Sequence, residues 1–136
     1  MHQILQYLAQ DGSFLYARHG FRIVSSEYSD SWGGTGSIVL DDGVLQIRLW
    51  LDRTRLCLDM RGAYSKKRGH AAWHSLGIVM ELITDSVPEV DRITPATTEF
   101  LKDNIQAIKN LFSRMNIEST DSACALLEKK RASQLG

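Results

Sequence analysis

The residues able to do chemistry are scattered along the chain. His70 and His74 stand four apart in "HAAWH", a separation at which two imidazoles on a helix can share a metal ion. In the helical zinc motif a glutamate follows the first histidine; here Ala71 takes that place, and no third ligand lies nearby. The expectation is therefore an ordinary first helical turn beside a basic loop, with no metal. Cys57 and Cys124 are the two cysteines, without a CxxC or a zinc-like cluster. A nucleophile built from either and His74 is not expected. Cys57 falls in a predicted strand, away from any helix N-terminus that would lower its pKa. Both read as reduced structural thiols of a cytoplasmic protein. Asp41-Asp42 reads as turn chemistry, and Glu27 with Asp30 flanks a loop. "GGTG" lacks the GK[ST] ending and leads into a strand, so it is no phosphate cradle. No catalytic residue and no cofactor is predicted.

Binding chemistry is better represented. Residues 45–62, "LQIRLWLDRTRLCLDMRG", alternate apolar with charged side chains and change phase once, at Asp-Arg-Thr-Arg. Arg48, Trp50, Arg53, Arg55, Asp59 and Arg61 share the polar positions, and arginine and tryptophan are the residue types that dominate protein interfaces. The densest basic run follows, with Lys66, Lys67 and Arg68 in "SKKRGH". These nine residues are the candidate partner-binding set.

Strand parity says how they are presented. A tight turn at Arg53-Thr54, or a four-residue loop from Asp52 to Arg55, sets Leu51 against Leu56 and Leu49 against Leu58 on one face. The other face then pairs Arg48 with Asp59 and Trp50 with Cys57. A slip of one residue would drive Arg48 and Asp59 into the core, so the charges hold the register. Upstream, Asp42-Gly43 is a two-residue hairpin signal that sets Leu40 against Leu45 and Ile38 against Ile47. "FRIVSSEYS" reads as a further strand, with Phe21 and Ile23 alternating with polar neighbours.

Helical patterns flank the strands. Ile4, Leu5 and Leu8 have helical spacing, and "SFLYARHG" adds a turn or two closed by Gly20 in a left-handed conformation. Trp73, Leu76, Val79, Met80 and Ile83 form one stripe, and Leu101, Ile105, Ile108 and Phe112 form another after the start signal Thr94-Pro95. A last helix, capped by Ser119 or Thr120, centres on Leu126 and Leu127. The order predicts a single α+β domain over 1–136: an N-terminal helix, a four-stranded antiparallel meander, then three helices packed on one sheet face.

The chain has 136 residues and 43% hydrophobic content, enough for one ordinary core. Lysine plus arginine and aspartate plus glutamate each total 16, and this neutrality argues against a dedicated nucleic-acid binder. The start, "MHQILQYLAQDGS", has no signal-peptide pattern, and no stretch approaches the ~20 apolar residues of a membrane span.

Residues 19–60, from "HGFRIVSSEYS" to "RLCLDM", resemble the central segment of small bacterial immunity proteins of polymorphic-toxin and contact-dependent inhibition loci. The shared features are Gly20-Phe21 at a helix end, a strand, a glycine loop at Gly33-Gly34, a hairpin, and Asp52-Arg53 at the next turn. A final Lys- and Arg-rich helix ending near "LG" is also similar. In that group a glycine often follows the Asp-Arg, where this chain has Thr54. The resemblance implies a cytosolic protein that binds a cognate toxin domain and blocks it, and it carries over no catalytic residue. Other readings are a nucleic-acid-binding regulator using the 66–68 loop and a small enzyme drawing on His70, His74 and Glu27. An exposed hairpin edge also offers a route to a homodimer.

Overall fold

The computed structural model describes residues 1–29 and 35–135. Gly33-Gly34, Asp30 and the final glycine lie outside them. Two short helices, α1 (His2–Ala9) and α2 (Phe14–His19), precede a five-stranded antiparallel sheet. Its strands are β1 (Arg22–Ser29), β2 (Thr35–Asp41), β3 (Leu45–Asp52), β4 (Arg55–Gly62) and β5 (His74–Ser75), in the spatial order β1-β2-β3-β4-β5. Helices α3 (Leu76–Thr84), α4 (Pro95–Leu111) and α5 (Ile117–Leu135) follow. The α+β class and the antiparallel meander match the sequence reading, with a short fifth strand added. No described helix is long and apolar enough to cross a membrane.

The opening hairpin forms in its tight version. Leu51 pairs with Leu56, Leu49 with Leu58, Arg48 with Asp59, Trp50 with Cys57 and Asp52 with Arg55. Ile38, Leu40, Ile47, Leu49, Leu58 and Met60 point to one face and are buried there. They meet Ile4, Leu8 and Leu15 of the N-terminal helices and Leu101, Ile105 and Ile108 of α4, with Phe112 just beyond it. The N-terminal helices therefore share the apolar face with the C-terminal ones. Burying one side of an alternating pattern is what fixes the register. Gly62 lets α5 approach, because a side chain there would collide with Ile117.

Several local expectations are corrected. The β2–β3 register is two residues from the expected one: Leu40 faces Ile47 and Ile38 faces Leu49, leaving every side chain on its expected face. The turn centres one residue later, with Gly43 at φ 96°. Asp42 explains the choice, since its carboxylate accepts the N–H groups of Val44 at 2.9 Å and Leu45 at 2.8 Å. It also receives the Lys109 ammonium at 2.9 Å.

Strand β1 shows no alternation of burial, and Ile23 is 55% exposed. It is the sheet edge, with a bulge between Ile23 and Ser25, and all of its residues are exposed. In α1, Tyr7 rather than Leu5 completes the buried face, its hydroxyl 3.1 Å from Thr98 Oγ1. The segment expected as one helix from His70 is a 3₁₀ turn (Gly69–Ala72), then β5, then α3 capped by Ser75. Trp73 therefore leaves the helical stripe. Helix α5 starts at Ile117, before the expected caps, and Leu126 is 69% exposed. Its inward face is instead Ile117, Thr120, Asp121 and Cys124. The Gly20 expectation holds: it closes α2 at φ 71°.

Candidate functional site

The sheet face turned away from the helices carries the charged half of the hairpin. Arg48 is at its centre. Its Nη2 donates to Asp59 Oδ2 at 2.6 Å, and its guanidinium lies 4.7 Å from the centroid of the Trp73 ring. Asp59 is only 8% exposed, so the pair is shielded on one side and its geometry is fixed. The sequence reading gave the Arg48–Asp59 pairing but placed Trp73 on a helix, so the stacking partner was missed. Strand parity continues the face across the sheet, with Ser37 opposite Trp50 and Glu27 opposite Ser37.

A groove of about 710 Å³ opens on this face. Ser37, Arg48 and Trp50 form its inner lining, half-buried. Glu27 and Ser29 of β1 flank one side. Asp52 and Arg53 close the end at the β3–β4 turn, and His70 stands at the rim. Arg53 is exposed and holds a left-handed φ of 60°, a conformation that costs a residue with a Cβ about 1–2 kcal/mol. A smaller depression of about 430 Å³ shares Asp52 and reaches Arg55, Cys57 and Glu89.

Of the nine predicted binding residues, Arg48, Trp50 and Arg53 line the groove, with Asp59 behind Arg48. Arg55 belongs to the neighbouring depression. Arg61 lies beyond Asp59 toward the far end of β4, opposite Gln46. Lys66 forms an exposed ion pair with Glu118 at 2.7 Å, and the Lys67 N–H donates to Ser65 Oγ. Arg68 is exposed just before the 3₁₀ turn. The 66–68 loop therefore does not extend the groove. Ser29 and Ser37 are groove residues the sequence reading did not name, while Glu27 and His70, which it grouped with His74 in the enzyme reading, meet at the groove without His74. The β1–β2 pairing that brings Glu27 to Ser37 depends on a bulge that no local pattern announces.

The histidines separate. His70 is exposed at the groove rim, while His74 is 0% exposed beneath α5. His74 Nδ1 lies 2.6 Å from Glu128 Oε1, and Nε2 lies 2.9 Å from Asp121 Oδ1. A carboxylate accepts and does not donate, so both contacts are made together when both ring nitrogens carry protons. Ser65 Oγ donates to the second Asp121 oxygen at 2.6 Å. The two carboxylates flank opposite edges of the ring, and among the described residues no group of three His, Cys, Asp or Glu side chains could hold a metal. Cys124 lies on the same helix; burial first, then the Glu128 and Asp121 charges, push its thiol up to about 12. Burial and the nearby Asp52 also raise Cys57. Neither environment makes a thiolate nucleophile. The cluster is a structural seam holding α5 to β5.

Comparison with protein-family models, with curated proteins and with solved structures returns no match to this chain.

Proposed function

We propose that the protein is a cytosolic binding module of the immunity type, which docks a cognate toxin domain on its outer sheet face and blocks it. The observation that carries the proposal is the groove between β1 and the β3–β4 turn. A half-buried tryptophan and a clamped arginine lie inside it, and charged residues of both signs ring it. An aromatic and an arginine on rigid strands, enclosed by a polar rim, is the arrangement of an interface hot spot. Local balance of charge also fits a neutral protein, which has no long-range field to steer its partner.

The test starts from the adjoining gene. If a large reading frame for a toxin lies directly upstream, its C-terminal domain should co-purify with this protein, and co-expression should relieve the toxin's growth arrest. Trp50→Ala should weaken capture by about thirtyfold or more, the effect of losing a hot-spot residue of about 2 kcal/mol. Arg53→Glu should also weaken it. Normal capture by both variants, with folding confirmed by circular dichroism, would rule out this face as the docking surface.

A further inference from the structure

The groove has a chemical bias that its charge count hides. Among the described residues its charged lining balances formally, with Arg48 and Arg53 against Glu27 and Asp52. These groups are not equally placed. Glu27, Asp52 and Arg53 are exposed at the rim, where water screens them; among the described residues of the lining Arg48 is the only half-buried ionisable one. The other half-buried polar side chains there are Thr35, Ser37 and Trp50, and each can donate a hydrogen bond.

Two of the donors are unused. Trp50 Nε1 and Arg48 Nε are both buried and have no hydrogen-bond partner. The two residues are two apart on β3, so both side chains lie on the outer face. Arg48 binds Asp59 through Nη2, while its Nε–H has no acceptor. A buried N–H without an acceptor is a destabilising feature of about 1–3 kcal/mol. Two such donors in neighbouring side chains of one groove are resolved together by a ligand that brings acceptor oxygens and no donors, once the Arg48 and Trp50 side chains turn their N–H groups, sealed from solvent in this structure, toward the groove. An ionised carboxylate meets that description, and its bonds to a guanidinium are charge-assisted. A side-chain amide brings one acceptor and two donors into the same donor-lined space.

We infer that the inner groove receives a carboxylate, carried on an Asp or Glu side chain of the protein partner, between Arg48 and the Trp50 indole. This rests on the proposed docking face and specifies what occupies its centre. Arg48 and Trp50 act as the specificity-determining pair, and Thr35 and Ser37 offer further donors beside them.

The test uses the full protein, labelled with ¹⁵N, and two capped tripeptides, Gly-Glu-Gly and Gly-Gln-Gly. The Trp50 indole resonance, assigned by its loss in Trp50→Phe, should move downfield and saturate with the glutamate peptide. The glutamine peptide should bind at least about tenfold more weakly. Arg48→Lys keeps a cation for Asp59 but loses Nε, and it should remove most of the preference; Ser37→Ala should reduce it while leaving the fold intact. No saturable shift with the glutamate peptide, or equal shifts with both peptides, would overturn the inference. Toxin capture that depends on Trp50 without carboxylate binding would overturn this inference alone. Carboxylate binding without toxin capture would overturn only the proposed function.

Discussion

Replacing His74 by alanine should be among the most damaging single changes in the protein. The imidazole is 0% exposed and contacts two carboxylates of α5. Its loss affects them unequally. Glu128 has a side chain 39% exposed, so water can replace the lost partner. Asp121 has a side chain 6% exposed; Ser65 satisfies one oxygen, and the other is left with no donor. Stranding one member of a buried pair costs about 3–5 kcal/mol, against a total stability of about 5–15 kcal/mol for a domain. His74→Ala should therefore lower the urea midpoint sharply, as followed by tryptophan fluorescence and far-ultraviolet circular dichroism. Glu128→Gln should cost about 1 kcal/mol or less, because its amide oxygen still accepts from Nδ1 at a partly hydrated site. The double variant His74→Ala, Asp121→Ala should lose clearly less than the sum of the two single changes, since each leaves the other group unpartnered. A loss below about 1 kcal/mol for His74→Ala, or strict additivity, would refute a dry, paired seam beneath α5.

Other outcomes follow from the same geometry. Burial pushes the Asp42 carboxyl up, but the Leu45 and Val44 N–H groups and the Lys109 ammonium outweigh it, so the folded pKa lies below the ordinary value of 3.8. Its contribution is complete above that value and is lost as the pH falls through the depressed one; acid unfolding should show this loss, and Asp42→Asn should remove it. Both thiols are raised, so the native protein should react with a disulfide reagent at pH 8 far more slowly than the urea-unfolded chain; two fast native equivalents, or one that survives Cys57→Ser, would contradict the burial of Cys124. Arg53→Gly should leave stability unchanged or raise it by up to about 1 kcal/mol, because glycine relieves the left-handed φ of 60°. A clear loss in a urea titration would show that the Arg53 side chain holds the turn.

The parts of the fold legible in the sequence are those where one pattern had a single physical solution. The β3–β4 pairings were legible because a tight turn at Arg53-Thr54 and a four-residue loop from Asp52 to Arg55 both put the apolar side chains on one face with the same partners, and the structure takes the tight form. The α4 stripe was legible for a similar reason: Leu101, Ile105, Ile108 and Phe112 are spaced for one side of a helix with a clear start. What stayed hidden was decided by distant partners. Trp73 sits at helical spacing from Leu76, yet the chain is extended there, with β5 pairing on β4 and the ring lying over Arg48. The polar inward face of α5 makes sense only opposite His74, 47 and 54 residues away in the chain. The groove was half visible: its Arg48 and Trp50 lining followed from parity, but its β1 wall required pairing across an unannounced bulge.

The central claim is that the outer face of β2 and β3, with the β3–β4 turn, is the docking surface, and hydrogen exchange followed by mass spectrometry tests it most directly. The protein is compared free and bound to the proposed partner, the C-terminal domain of a toxin encoded directly upstream. The account predicts slower exchange in peptides covering residues 35–39 and 48–55 and unchanged exchange along α4, which packs against the opposite face. Protection centred on α4 or α5, with none at the β3–β4 turn, would contradict it.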